Sequence, residues 1–188
     1  MERPALFLDR DGVINEDRPY VHRVEDFRFM DGIFSLVLAA QQAGYLIVVV
    51  TNQSGIGRGL YTENDFWTLT GWMLEQFAQG GCHIDGVYFC ATHPEHGLGS
   101  YRVESVFRKP GPGMLLQAAA ELKIDLARSI LVGDKQSDIQ AGIAAGVGLN
   151  IFLTKAPSTS IPGCIAVDDI RAVKSHLRPL PASEDSPR

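Results

Sequence analysis

The chain begins with an apolar run at residues 5–8 that stops abruptly at Asp9, Arg10, Asp11 and Gly12. A short apolar run bounded this way reads as a buried strand delivering a polar loop. Residues 32–43 place apolar side chains at Ile33, Leu36, Val37 and Ala40, one face of a helix, and give way to Gly44, a suitable C-terminal cap. Residues 45–50 are rich in β-branched side chains and predict a second buried strand, leading into Thr51, Asn52, Gln53, Ser54 and Gly55. Thr62 can cap the next helix, with Asp65 in the capping-box position. Phe66, Leu69, Met73 and Phe77 supply its apolar face as far as Gln79.

Residues 86–90 predict a third strand, followed by an irregular, His- and Gly-containing insert at 91–108. Pro112 can open a helix over 113–122. A fourth strand over 129–132 ends at Gly133 and Asp134, and a helix over 137–145 ends at Gly146. A fifth strand at 150–153, a weak strand at 164–167 and a short helix at 168–177 complete the pattern. Strands alternating with helices imply an α/β fold, a doubly wound, Rossmann-like parallel sheet. We expect a single domain over 1–178 and a flexible tail at 179–188, which is rich in Pro, Ser and charge.

In such sheets ligands bind outside the carboxyl ends of the strands. That rim collects Asp9 and Asp11, the polar stretch 51–55, and Asp134 with Asp138, while Lys109 lies in the approach to a helix. Several carboxylates meeting without compensation would repel, and a hard cation such as Mg²⁺ is the economical remedy. Lys109 can neutralise both a carboxylate and a phosphate. Residues 51–55 offer hydroxyls, amides and backbone N–H groups suited to a phosphate. Each feature alone has a plain structural explanation: Lys109 as a solvated charge, Ser54-Gly55 as a turn, Asp134 as a helix cap. Their arrival in order at four strand ends does not.

Composition narrows the partners. The 188 residues are 45% hydrophobic and 21% charged, with a net charge of −5. That balance argues against a broad nucleic-acid surface and leaves an anionic substrate open, because a local cluster of cations can outweigh the mean field. The apolar stretch at the start is too short for a signal peptide, and no apolar run reaches membrane-spanning length. We therefore expect a cytoplasmic monomer with no membrane partner. Cys82, Cys90 and Cys164, with no CxxC, read as reduced residues rather than a disulfide framework.

Four strings carry a resemblance: residues 7–12 (FLDRDG), 50–54 (VTNQS), 108–110 (RKP), and 132–135 (VGDK) with Asp138. Together they resemble the four motifs of the haloacid dehalogenase superfamily, over about residues 5–153. Within it, FLDRDGVIN and TNQSGIGRG are similar to strings of the D-glycero-D-manno-heptose 1,7-bisphosphate 7-phosphatases, and histidinol-phosphate phosphatases share much of that pattern. The resemblance implies a Mg²⁺-dependent phosphatase acting on a small phosphorylated metabolite, a sugar bisphosphate. Asp9 would be the nucleophile that becomes aspartyl-phosphate, and Asp11 the general acid and base. Asp9, the Asp11 backbone carbonyl and Asp134 would hold the metal. Thr51, Asn52 and Lys109 would hold the transferring phosphoryl group. The resemblance also implies substrate contacts at Asp17, Arg18, Pro19 and Tyr20, at Gln53 and Ser54, and at Arg108 and Lys135.

The chain departs from these phosphatases in one place. Many carry a zinc loop with a Cys-x-His pair and a Cys-x-Cys pair before the Arg-Lys. Here the first pair reads Cys90-Ala-Thr92, with His93 displaced by one, and the second is replaced by Ser105-Val-Phe107. Such a set does not make a four-coordinate zinc site, so zinc is not expected. No large cap fits before residue 48, so the loops at 17–24, 55–61 and 91–108 should set specificity. Arg18, His22, Arg23, Arg58 and Arg108 on or near them are candidates for a second phosphate. Histidinol phosphate is the alternative substrate. A non-catalytic phosphate-binding module would predict damaged motifs, and a receiver-like domain would lack Asp11.

Overall fold

The computed structural model describes residues 2–156 and 161–179. Six strands form one all-parallel sheet in the order β3-β2-β1-β4-β5-β6. They are β1 (Ala5–Leu8), β2 (Leu46–Asn52), β3 (Gly86–Cys90), β4 (Ile130–Gly133), β5 (Leu149–Leu153) and β6 (Ile165–Val167). The helices are α1 (Ile33–Gln42), α2 (Ser54–Gly57), α3 (Glu63–Gln79), α4 (Gly113–Leu122) and α5 (Gln136–Ala145).

The central strands β1, β2, β4 and β5 bury both faces, which explains their continuous apolar runs. Leu6 and Leu8 of β1, with Ile47, Val49, Ile130 and Val132, face α1 and α3 through Ile33, Leu36, Leu69, Met73 and Phe77. The alternate residues Ala5 and Phe7, with Val48, Val50 and Leu131, face α4 and α5 through Met114, Leu115, Ala118 and Ile139. A one-residue slip in β1 would exchange these two sets and present each helix with the wrong partner, so the pairing register is strongly specified. Leu36 is fully buried, and truncating such a leucine to alanine costs about 2–5 kcal/mol.

The chain builds outward from β1 through β2 to β3, then returns to start β4 on the other side of β1. This reversal opens a crevice at the carboxyl ends of β1 and β4. Leu8 pairs with Val49 on one side and Val132 on the other, so Asp9 emerges level with Val50 and Gly133.

Most expected elements are present, with shifted ends. The second strand runs on through Thr51 and Asn52, because they continue the ladder opposite Phe89 and Cys90 of β3. The helix on Thr62 has the expected capping box: the Thr62 hydroxyl accepts from the Asp65 N–H, and the Asp65 carboxylate accepts from the Thr62 N–H at 2.8 Å. The expected helix at 168–177 is a 3-10 helix, Ile170–His176, started by the Asp169 carboxylate accepting from the Arg171 N–H. The insert 91–108 is irregular apart from one 3-10 turn, Gly99–Tyr101. Residues 180–188 of the expected tail lie outside the described residues. No described helix is long and apolar enough to cross a membrane.

Candidate active site

Asp9 sits at the end of β1, 6% exposed. One carboxylate oxygen accepts from the Arg10 N–H at 2.7 Å and lies 3.0 Å from Lys109 Nζ. The same Nζ is 2.7 Å from Asp138 Oδ1 and donates to the Val50 carbonyl at 2.9 Å. Asp138, in the first turn of α5, accepts from the Lys135 N–H with its other oxygen at 2.9 Å. One buried ammonium therefore joins the ends of β1 and β2 to the start of α5.

Burial sets the electrostatics. It pushes the Asp9 carboxyl up to about 7; Lys109 opposes the shift, while Asp138, Asp134 and Asp11 add to it. Burial also pushes Asp134 up to about 6, opposed by Lys135 and assisted by Asp138. For Lys109 burial acts downward, but Asp9 and Asp138 outweigh it, so the ammonium is held charged. The site is thus short of positive charge: Lys109, against Asp9 and Asp138, and Lys135, beside Asp134, stand against three carboxylates.

Oxygens of Asp9, Asp134 and Asp138 lie within 4.8 Å of one another, the only grouping of three or more His, Cys, Asp or Glu ligands among the described residues. Asp134 Oδ1 is buried without a hydrogen-bond partner. A Cβ at Gly12, whose φ is +93°, would collide with the Asp134 carboxylate, so glycine keeps that side open. Hard, anionic oxygen donors with one unpaired fit Mg²⁺. Asp138 is engaged by Lys109 and the Lys135 N–H, which leaves Asp9 and Asp134 for the metal. The Asp11 side chain stands outside this cluster.

Asp11 is surrounded by donors instead. Asn15 Nδ2 reaches Oδ1 at 3.0 Å, Gln53 Nε2 reaches Oδ2 at 3.0 Å, and Arg10 Nη2 spans both oxygens at 3.1 and 3.0 Å. Arg10 Nη2 also donates to the Val21 carbonyl at 2.7 Å, tying the flap after β1 to the Asp9 loop. Gln53 Nε2 donates in addition to Thr51 Oγ1 at 2.8 Å, and Tyr61 Oη donates to Gln53 Oε1 at 2.5 Å. Arg10, Asn15 and Tyr61 were not among the expected site residues. The Asp-Arg-Asp string offered a signal for Arg10; nothing local marked Tyr61.

Two of the expected contact residues also have partners within the chain. The Asn52 carboxamide donates to the Lys109 carbonyl and accepts from the Lys109 N–H, each at 3.0 Å, so it anchors the lysine. Arg108 donates to the Thr92 carbonyl at 3.1 Å and lines a groove with Pro94, Val106 and Pro110. Most of the expected substrate-contact residues, Asn52 included, converge. Asp17, Arg18, Pro19, Tyr20, Asn52, Gln53, Ser54 and Lys135 line a cavity of about 290 Å³ together with Asp11 and Tyr61. Lys135 and Asp17 face each other at 3.4 Å, Arg18 pairs with Glu16 at 2.7 Å, and Arg58 lies 6.0 Å over the Tyr20 ring.

In the insert, Cys90 Sγ lies 3.3 Å from Thr92 Oγ1. The His93 and His96 rings lie 4.7 Å apart, tilted by 37°, and His93 Nδ1 accepts from the backbone N–H groups of Glu95 and His96 at 3.2 Å.

The chain has close relatives. Residues 106–155 match the HAD-hydrolase-like family model. The D-glycero-alpha-D-manno-heptose-1,7-bisphosphate 7-phosphatase of Burkholderia mallei is 61% identical over 153 residues, 81% of each chain. The corresponding beta-heptose enzyme of Vibrio cholerae is 50% identical, covering 94% of this chain and 97% of its own. Among solved structures, the D,D-heptose 1,7-bisphosphate phosphatase from B. bronchiseptica, complexed with magnesium and phosphate, superposes with a TM-score of 0.80 at 30% identity, covering 93% of this chain and 97% of that one. An acidic, lysine-bridged strand end of this kind, in a chain this similar over most of its length, leads to one conclusion: the protein belongs to the D-glycero-D-manno-heptose 1,7-bisphosphate 7-phosphatase family of the haloacid dehalogenase superfamily.

Proposed function

We propose that the chain removes the 7-phosphate of D-glycero-D-manno-heptose 1,7-bisphosphate through an aspartyl-phosphate on Asp9, in the synthesis of surface polysaccharide precursors. The observation that carries this reading is the Asp9 carboxylate, buried at a strand end and held 3.0 Å from Lys109 beside the unpartnered oxygen of Asp134. A carboxylate fixed in this way is a nucleophile aimed at one place.

The residues divide the work as follows. An Asp9 oxygen attacks phosphorus, and the bond from phosphorus to the sugar oxygen breaks. Asp11 gives its proton to the departing oxygen, then takes one from the water that hydrolyses the aspartyl-phosphate and releases inorganic phosphate. Thr51 and Lys109 meet the phosphoryl oxygens, while Asn52 holds the lysine backbone in place. Asp9, Asp134 and the Asp11 carbonyl would hold Mg²⁺, which when bound supplies positive charge against the phosphoryl group. Asp17, Lys135 and Tyr20 face the sugar, a mixture of acceptor and donor groups suited to hydroxyls. The same reading makes the protein a cytoplasmic monomer acting on a free metabolite, with neither nucleic acid nor membrane as partner.

The test is phosphate release with Mg²⁺ from the alpha and beta anomers of the heptose bisphosphate, the heptose monophosphate, fructose 1,6-bisphosphate and histidinol phosphate. The expected result is a strong preference for one heptose bisphosphate anomer, lost completely in Asp9→Asn. Faster turnover of histidinol phosphate would replace the substrate, and no release from any compound would favour a binding module.

A further inference from the structure

Tyr61 reaches the site by an unusual route. The chain turns sharply after α2, with Leu60 N–H donating to the Gly55 carbonyl at 2.9 Å and Gly59 at a φ of +73°. The turn lays the Tyr61 ring directly over Gly55, where any Cβ would collide with it. The His22 ring stacks on the outside of Tyr61 at 5.0 Å and 1°. The phenol is 7% exposed and Gln53 is 2% exposed, so water does not compete for their contact.

A carboxamide has a donor end and an acceptor end of nearly the same shape, and its partners choose between two orientations. Tyr61 Oη donates to Gln53 Oε1. Burial pushes this phenol up to about 12, against a smaller opposing effect of Arg10, so it stays a donor at neutral pH. The Nε2 end must then point the other way, where its two N–H groups meet Asp11 Oδ2 and Thr51 Oγ1. With a lone pair of Thr51 Oγ1 already occupied, the hydroxyl proton is free to turn towards a phosphoryl oxygen.

We infer that Tyr61 is a positioning residue that sets the orientation of the Gln53 carboxamide, and that Gln53 thereby aims both the Thr51 hydroxyl and the Asp11 carboxylate at the reacting phosphate. The inference rests on the phosphatase reading given above. In the reversed orientation an amide oxygen would confront the Asp11 carboxylate, and Thr51 would spend its proton on Gln53.

The experiment compares Tyr61→Phe, Gln53→Ala, the isosteric Gln53→Glu, and the Tyr61→Phe/Gln53→Ala double variant with the wild type. Tyr61→Phe is expected to lower kcat about tenfold or more with KM within about twofold. Gln53→Glu keeps the volume and an acceptor for Tyr61 but loses both donors, and should fall at least as far as Gln53→Ala. Because Tyr61 acts through Gln53, the double variant should be no slower than Gln53→Ala alone. Affinity for inorganic phosphate with Mg²⁺ gives a second readout that needs no turnover and should follow the same non-additive pattern. A Tyr61→Phe enzyme indistinguishable from wild type in both readouts, or full additivity in the double variant, would overturn the inference. A raised KM with unchanged kcat would overturn it too, reducing Tyr61 to a cavity wall. A wild type that binds phosphate without releasing it from any ester would sink the phosphatase reading, and the phosphate titrations would still decide the role of Tyr61.

Discussion

Asn52 and Lys109 exchange two hydrogen bonds across the carboxyl end of β2: the Asn52 amide donates to the Lys109 carbonyl, and the Lys109 N–H donates to the Asn52 side-chain oxygen, each at 3.0 Å. The clamp closes a ring between a strand end and a loop 57 residues away. It holds the lysine backbone in place so that the Nζ can reach Asp9, Asp138 and Val50 at once.

Asn52→Ala should therefore act on catalysis through Lys109. Its kcat is expected to fall at least about tenfold, and Asn52→Asp, which keeps the acceptor and loses the donor, should fall less. Steady-state kinetics of the two variants checks this. Equal and slight effects would mean that the clamp does not position the lysine.

The pairing of Lys109 with Asp138 should appear in stability. Asp138→Ala leaves a buried ammonium with one carboxylate fewer, and breaking a buried pair costs about 3–5 kcal/mol. For a chain of this size that lowers Tm by about 10 °C. Asp138→Asn keeps an acceptor for the Lys135 N–H and should lose less. An unchanged melting point in Asp138→Ala would show that Lys109 does not depend on this partner.

Asp9 and Asp134 set a pH dependence. Both carboxyls lie above their ordinary values, at about 7 and about 6, with burial as the main cause. Between about pH 4 and 7 the folded metal-free chain holds more protons on them than the unfolded chain, so these groups make it less stable as pH rises through that window. Mg²⁺ binds the ionised pair, so its stabilisation should run the opposite way, small at pH 5.5 and larger at pH 7.5. Melting curves with and without Mg²⁺ at the two pH values measure this. A Mg²⁺ shift independent of pH would remove these carboxylates from the metal site.

The insert should keep its form without zinc. Cys90 contacts Thr92, His93 Nδ1 caps the backbone of Glu95 and His96, and Arg108 ties the insert back to the strand end through Thr92. Elemental analysis of purified protein is expected to find no stoichiometric zinc, and treatment with a chelator followed by Mg²⁺ should restore full activity. One tightly held zinc per chain would contradict this.

Much of the molecule was determined by the sequence alone. Apolar runs ending in polar residues mark where buried strands reach the rim, so Asp9, Asp11, Thr51 and Asp134 could be placed from local pattern. The Thr62 cap and the Gly44 and Gly146 stops are equally local, since each depends on hydrogen bonds or backbone angles within a few residues. Tertiary structure decided what those residues touch. Asn52, expected at the phosphate, also grips Lys109, and Arg108, expected at the substrate, donates to the Thr92 carbonyl. Asp138 belongs to the lysine, and Tyr61 joins the site because a turn at Gly59 folds it back over Gly55. The physical reason is the reach and direction of a hydrogen bond. Side-chain chemistry sets what a residue can donate or accept, but the crossing of segments far apart in the chain decides which partner lies within 3 Å.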